Sequence, residues 1–232
     1  MTHNFKDKVQ FDADLLKNQD SFEWEQTVAA TLNRLWASYT GRNVLDELGL
    51  SPNIVKIVPY YDLRDPMNAN SEPRNDQDAY YPGRPLRSAR TGHLDPGAGV
   101  GTGRGSAVRL NYSPWRFPKT LQPVVLVHEM VHAAEQQRGM VFMNTVHSAC
   151  FDTVAEFDAI VVENIYRSEI GMELAKDHHR RYPMAGNRML PQEGELRARL
   201  ESFRARMPHL TRALAQVQVR FNPLRTGNAA YA

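Results

Sequence analysis

"VVLVHEMVHAAEQQRG", Val124 to Gly139, holds two histidines four residues apart with a glutamate beside the first. Residues at i and i+4 of a helix lie on one face about one turn apart, so His128 and His132 can aim two imidazole nitrogens at one metal ion. Glu129 is near enough to reach a metal-bound water without being a ligand, which is the division of labour of an H-E-x-x-H zinc site. Val124 to Val127 and Ala133–Ala134 are apolar, so three ionisable groups fall in a buried or half-buried segment. Unpaired there, they would cost several kcal/mol, and a metal supplies the missing partner. The competing reading is a core in which hydrogen bonds alone satisfy the two histidines and the glutamate. The helix carries its own punctuation: Pro123 fits N1, Arg138 the last turn, and Gly139 the position just past the end.

A catalytic zinc usually has three protein ligands, so a third donor is required. A metzincin would continue H-x-x-G-x-x-H, but Glu135 and Arg138 occupy those places. The downstream donors are Asp152, Glu156, Asp158 and Glu163, with His147 in the connection. Glu156 is favoured: it stands between Val154 and Phe157 in an apolar stretch, far enough beyond His132 for a second helix to return against the first. Glu163 is the runner-up, and can alternatively orient an imidazole from behind.

Outward from the motif, helices and strands are mixed. Helical spacing of Phe22, Val28, Ala29, Leu32, Leu35 and Trp36 predicts a helix over Ser21–Tyr39 with Ser21 as N-cap, followed by a shorter one over Arg42–Leu48 ending at Gly49. "NIVKIVPYYD", Asn53 to Asp62, reads as a strand. Residues 64–105 are dense in Pro, Gly, Asn and Arg and read as a long loop region. Its glycine run "DPGAGVGTGRG" lacks the Lys-Ser/Thr end of a P-loop and reads as a flexible turn. "SAVRLNYS", Ser106 to Ser113, alternates as a half-exposed strand, and is expected to lie at a sheet edge where Ala107–Tyr112 pair with an extended substrate. A further helix is predicted over Asp152–Ser168. The apolar series from Leu196 to Phe221, broken by Pro208, predicts two consecutive helices or one sharply kinked helix covering the core.

The chain has 232 residues, 42% of them hydrophobic, enough for one substantial core. With 28 basic and 26 acidic residues its formal net charge is only +2, which argues against nucleic acid as a partner. The single cysteine, Cys150, rules out an internal disulfide and suits synthesis in a reducing cytoplasm. Met1–Asp20 has no apolar core of secretory length, and the longest apolar run, Pro123–Val127, is too short for a bilayer. The expectation is a soluble protein, without a membrane partner and monomeric.

"HEMVH" followed by "EFDAIVVENIYRSEIGMELAKDHH" resembles the NleD-like bacterial effector zinc metallopeptidases and related uncharacterised bacterial zincins, over about Ser106 to His179. The resemblance implies His128, His132 and Glu156 as zinc ligands and Glu129 as catalytic base. It also implies Tyr166 or His178 as an oxyanion donor, delivery into a host cell without a cleavable signal peptide, and cleavage of a host signalling protein. The combined expectation is an α+β, zincin-like, gluzincin-type endopeptidase that binds Zn2+. Its single domain over 1–232 has a small N-terminal sheet and a mainly helical C-terminal lobe, with 1–20 flexible. The alternative is a non-catalytic zincin scaffold that binds a partner, its zinc a structural clip closed by a fourth ligand such as His147.

Overall fold

The computed structural model describes residues 2–13, 16, 19–60, 69–87, 94–143, 153–174 and 193–225. The chain opens on a hairpin of β1 (His3–Phe5) and β2 (Val9–Phe11), turned through Lys6 and Asp7 at φ 50° and 54°. Helices α1 (Gln19–Ala37) and α2 (Tyr39–Gly49) follow. Helix α1 begins two residues before the expected start, so Ser21 lies inside its first turn and is not the cap. Phe22, expected in the core, is 57% exposed; Trp24 is buried instead, its indole N–H donating to the Tyr112 carbonyl at 3.0 Å. Ser38 caps α2 by accepting from the Gly41 amide at 2.9 Å.

Strand β3 (Val55–Val58) is shorter than "NIVKIVPYYD" predicts, because Pro59 brings no N–H to a ladder. The region expected as loop carries β4 (Ala69–Pro73), the short α3 (Asp76–Ala79), β5 (Pro85–Arg87) and β6 (Leu94–Val100). After β7 (Val108–Tyr112) and a 3-10 turn at Pro114–Arg116, the remaining described elements are all helical: α4 (Gln122–Arg138), α5 (Val154–Glu169), α6 (Glu193–Arg206) and α7 (Pro208–Leu214). The fold is thus mixed α and β, with a small sheet from the N-terminal half and seven α-helices among the described residues. Pro208 separates α6 from α7 and starts the second as its first helical residue. No helix among the described residues is long and apolar enough to cross a membrane.

The sheet runs β1-β2-β3-β7-β4, with β5 and β6 forming a separate pair. Strand β7 is parallel to β3 and antiparallel to β4, so it is interior and the expected edge position for Ala107–Tyr112 is wrong. Its row of backbone groups is taken on both sides. The edge is β4. The amide of Arg74, just past β4, donates to the Ala107 carbonyl, just before β7, at 2.8 Å, and the alternation of the ladder then makes Glu72 and Asn70 the β4 residues that exchange hydrogen bonds with β7. Ala69, Ser71 and Pro73 therefore turn their backbone groups away from the sheet.

Val108, Leu110 and Tyr112 of β7 and Val55 and Ile57 of β3 join the core with Leu126, Val127, Met130 and Val131 of α4. Helix α4 is buried on nearly every side. The glycine run is ordered by close approach. Gly105, at φ 82°, is pressed against the end of α4, where an added Cβ would stand 2.0 Å from the Gln137 carbonyl oxygen. The amides of Gly101, Thr102, Gly103 and Gly105 donate to the carbonyls of Arg84, Gln77, Tyr80 and Asp78, which leaves none of the four to cradle a phosphate.

Candidate metal centre

Pro123 sits at the second helical position of α4, one later than predicted, and Gly139 ends the helix at φ 68°. Between them, one buried face carries His128 and half-buried His132. Helix α5 brings the third donor through its own start signal. Thr153 is the N-cap, and its hydroxyl accepts from the Glu156 amide at 3.3 Å, placing Glu156 in the first turn of α5.

The imidazole Nε2 atoms of His128 and His132 are 3.1 Å apart. Glu156 presents Oε2 at 3.5 Å from His128 Nε2 and Oε1 at 3.4 Å from His132 Nε2. Ligand atoms about 2.0–2.1 Å from a tetrahedral ion stand about 3.3–3.4 Å from one another, so the observed spacings suit one small ion at the centre. His128, His132 and Glu156 are the one group of histidine, cysteine and acidic donors found among the described residues that can hold a metal. Two imidazoles and a carboxylate are also the donor set that zinc takes in catalytic sites.

Glu163 stands on the other side of the same histidine. Its Oε2 is 3.0 Å from His128 Nδ1, and its Oε1 accepts from Arg167 Nε at 2.7 Å. A carboxylate on Nδ1 fixes the ring and turns Nε2 towards the shared centre. Asp158 is buried in an ion pair with Arg206 that also engages Glu135. Tyr166, an oxyanion candidate from the resemblance, is buried in the main core with Arg34 and Glu169 as charged neighbours, and burial raises its pKa to about 12. His147, Cys150, Asp152 and His178 lie outside the described residues.

The charges form an interlocked set. Burial works against a charged His128, but the carboxylates of Glu156 and Glu163 outweigh it and raise its pKa to about 10. Burial likewise opposes ionisation of Glu156, yet His132 and His128 hold its carboxyl well below the usual range; His128 and Arg167 do the same for Glu163. Glu129 is half-buried and follows His128 directly. Burial pushes its carboxyl up, against the pull of both histidines, which is the direction a proton acceptor near neutral pH requires.

Sequence reasoning missed three parts of this architecture. Arg167 was legible as the i+4 partner of Glu163. The T-x-x-E capping signal at Thr153–Glu156 was legible too. Arg206 was not, because 71 and 48 residues separate it from Glu135 and Asp158.

A mixed α and β chain whose two packed helices converge two histidines and a carboxylate has the donor set of a metallopeptidase. The chain belongs to peptidase family M91, whose model, described as effector protein, matches residues 12–198. This agrees with the resemblance to NleD-like bacterial effector metallopeptidases, and it makes the chain a peptidase effector with a protein substrate. No curated protein matches the chain, and no solved structure does.

Proposed function

We propose that the chain is a zincin-like, zinc-dependent endopeptidase of one domain, delivered as an effector and acting on a host protein. The observation that carries the reading is the convergence of His128, His132 and Glu156 at 3.1–3.5 Å beside Glu129. These three residues would hold the ion, and Glu163 would keep His128 in the tautomer that leaves Nε2 its lone pair. Bound there, zinc supplies Lewis acidity, polarising the scissile carbonyl and favouring ionisation of water. Glu129 takes the proton of the attacking water on its carboxylate and returns it to the amine nitrogen as the peptide bond breaks.

Strand β4 is the surface for an extended substrate. Its edge offers the amides of Ala69 and Ser71, and Gln136 of α4 donates to the Ser71 carbonyl at 3.1 Å, tying that edge to the helix of the metal group. Pro73 contributes no N–H, so the ladder stops there.

Glu129→Gln tests the assignment. It keeps the side chain's shape and removes its basicity, so peptide turnover should fall by at least about 100-fold while zinc content stays at wild type. Loss of zinc in this variant would make Glu129 a ligand and overturn its role as base.

A further inference from the structure

The metal group is bracketed along α4. Glu163 holds His128 at one end, and Glu135 stands one turn beyond His132 at the other. Glu135 and Asp158 are fully buried carboxylates on α4 and α5, and the cation that meets both is Arg206, the last residue of α6. Its Nη1 donates to Glu135 Oε1 at 2.8 Å and to the Met140 carbonyl at 3.1 Å; its Nη2 donates to Asp158. The guanidinium also lies 5.6 Å from the centre of the Phe142 ring, and the Phe142 carbonyl accepts from the Ala155 amide at 3.2 Å. One side chain thus grips the helix that carries both histidines, the segment leaving it, and the first turns of the helix that carries Glu156.

Arg206 lies beyond residue 198, where the family match ends. The segment that bears it is nonetheless built into the main core through Leu200, Phe203, Met207, Leu210 and Leu214. We propose that Arg206 is a positioning residue for the metal centre: it fixes α5 against α4, and so sets where Glu156 stands relative to His128 and His132. On this account the C-terminal helices complete the site. A planar, forked guanidinium is required, because a lysine ammonium cannot meet two carboxylates and a carbonyl with the same geometry.

The inference rests on the metal-binding reading above, and cobalt separates the two. The full chain is loaded with Co2+, and its visible absorption, which reports ligand geometry, is recorded with the rate of cobalt loss to a chelator. Arg206→Lys should remain folded by circular dichroism, bind cobalt with an altered spectrum, and lose it about ten times faster than wild type. Asp158→Asn, which frees α5 from the grip without removing the arginine, should shift both readouts in the same direction. A folded variant pair with wild-type spectrum and rate would overturn the positioning role, whatever their melting temperatures. Failure of both variants to fold would also overturn it, making the cluster a pillar of the fold alone. Wild-type protein that takes up no cobalt would overturn the metal-binding reading itself and this inference with it.

Discussion

Removing the carboxylate behind His128 should weaken metal binding without touching a ligand. Glu163 is buried, as is the ring it holds, and its two oxygens are divided between His128 Nδ1 at 3.0 Å and Arg167 at 2.7 Å. A hydrogen bond to a charged group is worth about 1.5–3 kcal/mol. Loss of an outer carboxylate partner costs about 10–100-fold in metal affinity, or about 1.4–2.7 kcal/mol, so the two routes agree. Glu163→Gln keeps an acceptor for Nδ1 but sets an amide against Arg167, and should lie near tenfold. Glu163→Ala leaves His128 without its acceptor and Arg167 without its counter-charge, and should approach a hundredfold. Competition with a chromogenic zinc chelator at neutral pH reads the affinity directly. Zinc affinity within twofold of wild type in both variants would refute the claim that Glu163 orients the imidazole.

The pH dependence has a definite sign. His128 titrates higher in the folded, metal-free chain (about 10) than an ordinary histidine at about 6.5, so its contribution to stability is full below about pH 6.5 and is lost as pH climbs towards 10. Glu156 and Glu163, held low, contribute above about pH 4.5 and lose that contribution as pH falls below it. The zinc-induced rise in Tm should therefore be larger at pH 8 than at pH 6, with protons released on zinc addition; equal rises at both would contradict the coupling. Gly105→Ala forces a side chain onto a left-handed backbone and into the Gln137 carbonyl, so unfolding free energy should drop by about 3 kcal/mol in urea titration. Ser71→Pro removes an amide on the free side of β4 while sparing the bonds to β7, so it should raise KM far more than it lowers kcat; an unchanged KM would take the substrate off this edge.

The parts of the centre legible in the sequence were those written at helical spacing. His128, His132 and Glu129 are fixed relative to one another by four residues of one helix, and no tertiary contact is needed to see it. Glu156 and Glu163 required knowing which way α5 faces, and the sequence left both as ligand candidates. Their geometry divides them, one at the shared Nε2 side and one at Nδ1. Strand β4 was unreadable, because "ANSEP" has no β-branched residue and ends in proline; pairing with β7 makes it a strand. That hidden strand is also why β7 was misplaced at an edge. The glycine run looked flexible for a related reason: the carbonyls that order it come from distant residues, and no local signal announces them.

The most direct test is a crystal of zinc-soaked protein measured at the zinc absorption edge. One anomalous peak is expected, within about 2.0–2.2 Å of His128 Nε2, His132 Nε2 and a Glu156 oxygen, with the remaining position open to solvent. A peak closed by a fourth protein ligand would make the metal a structural clip, and no peak among these three residues would contradict the account outright.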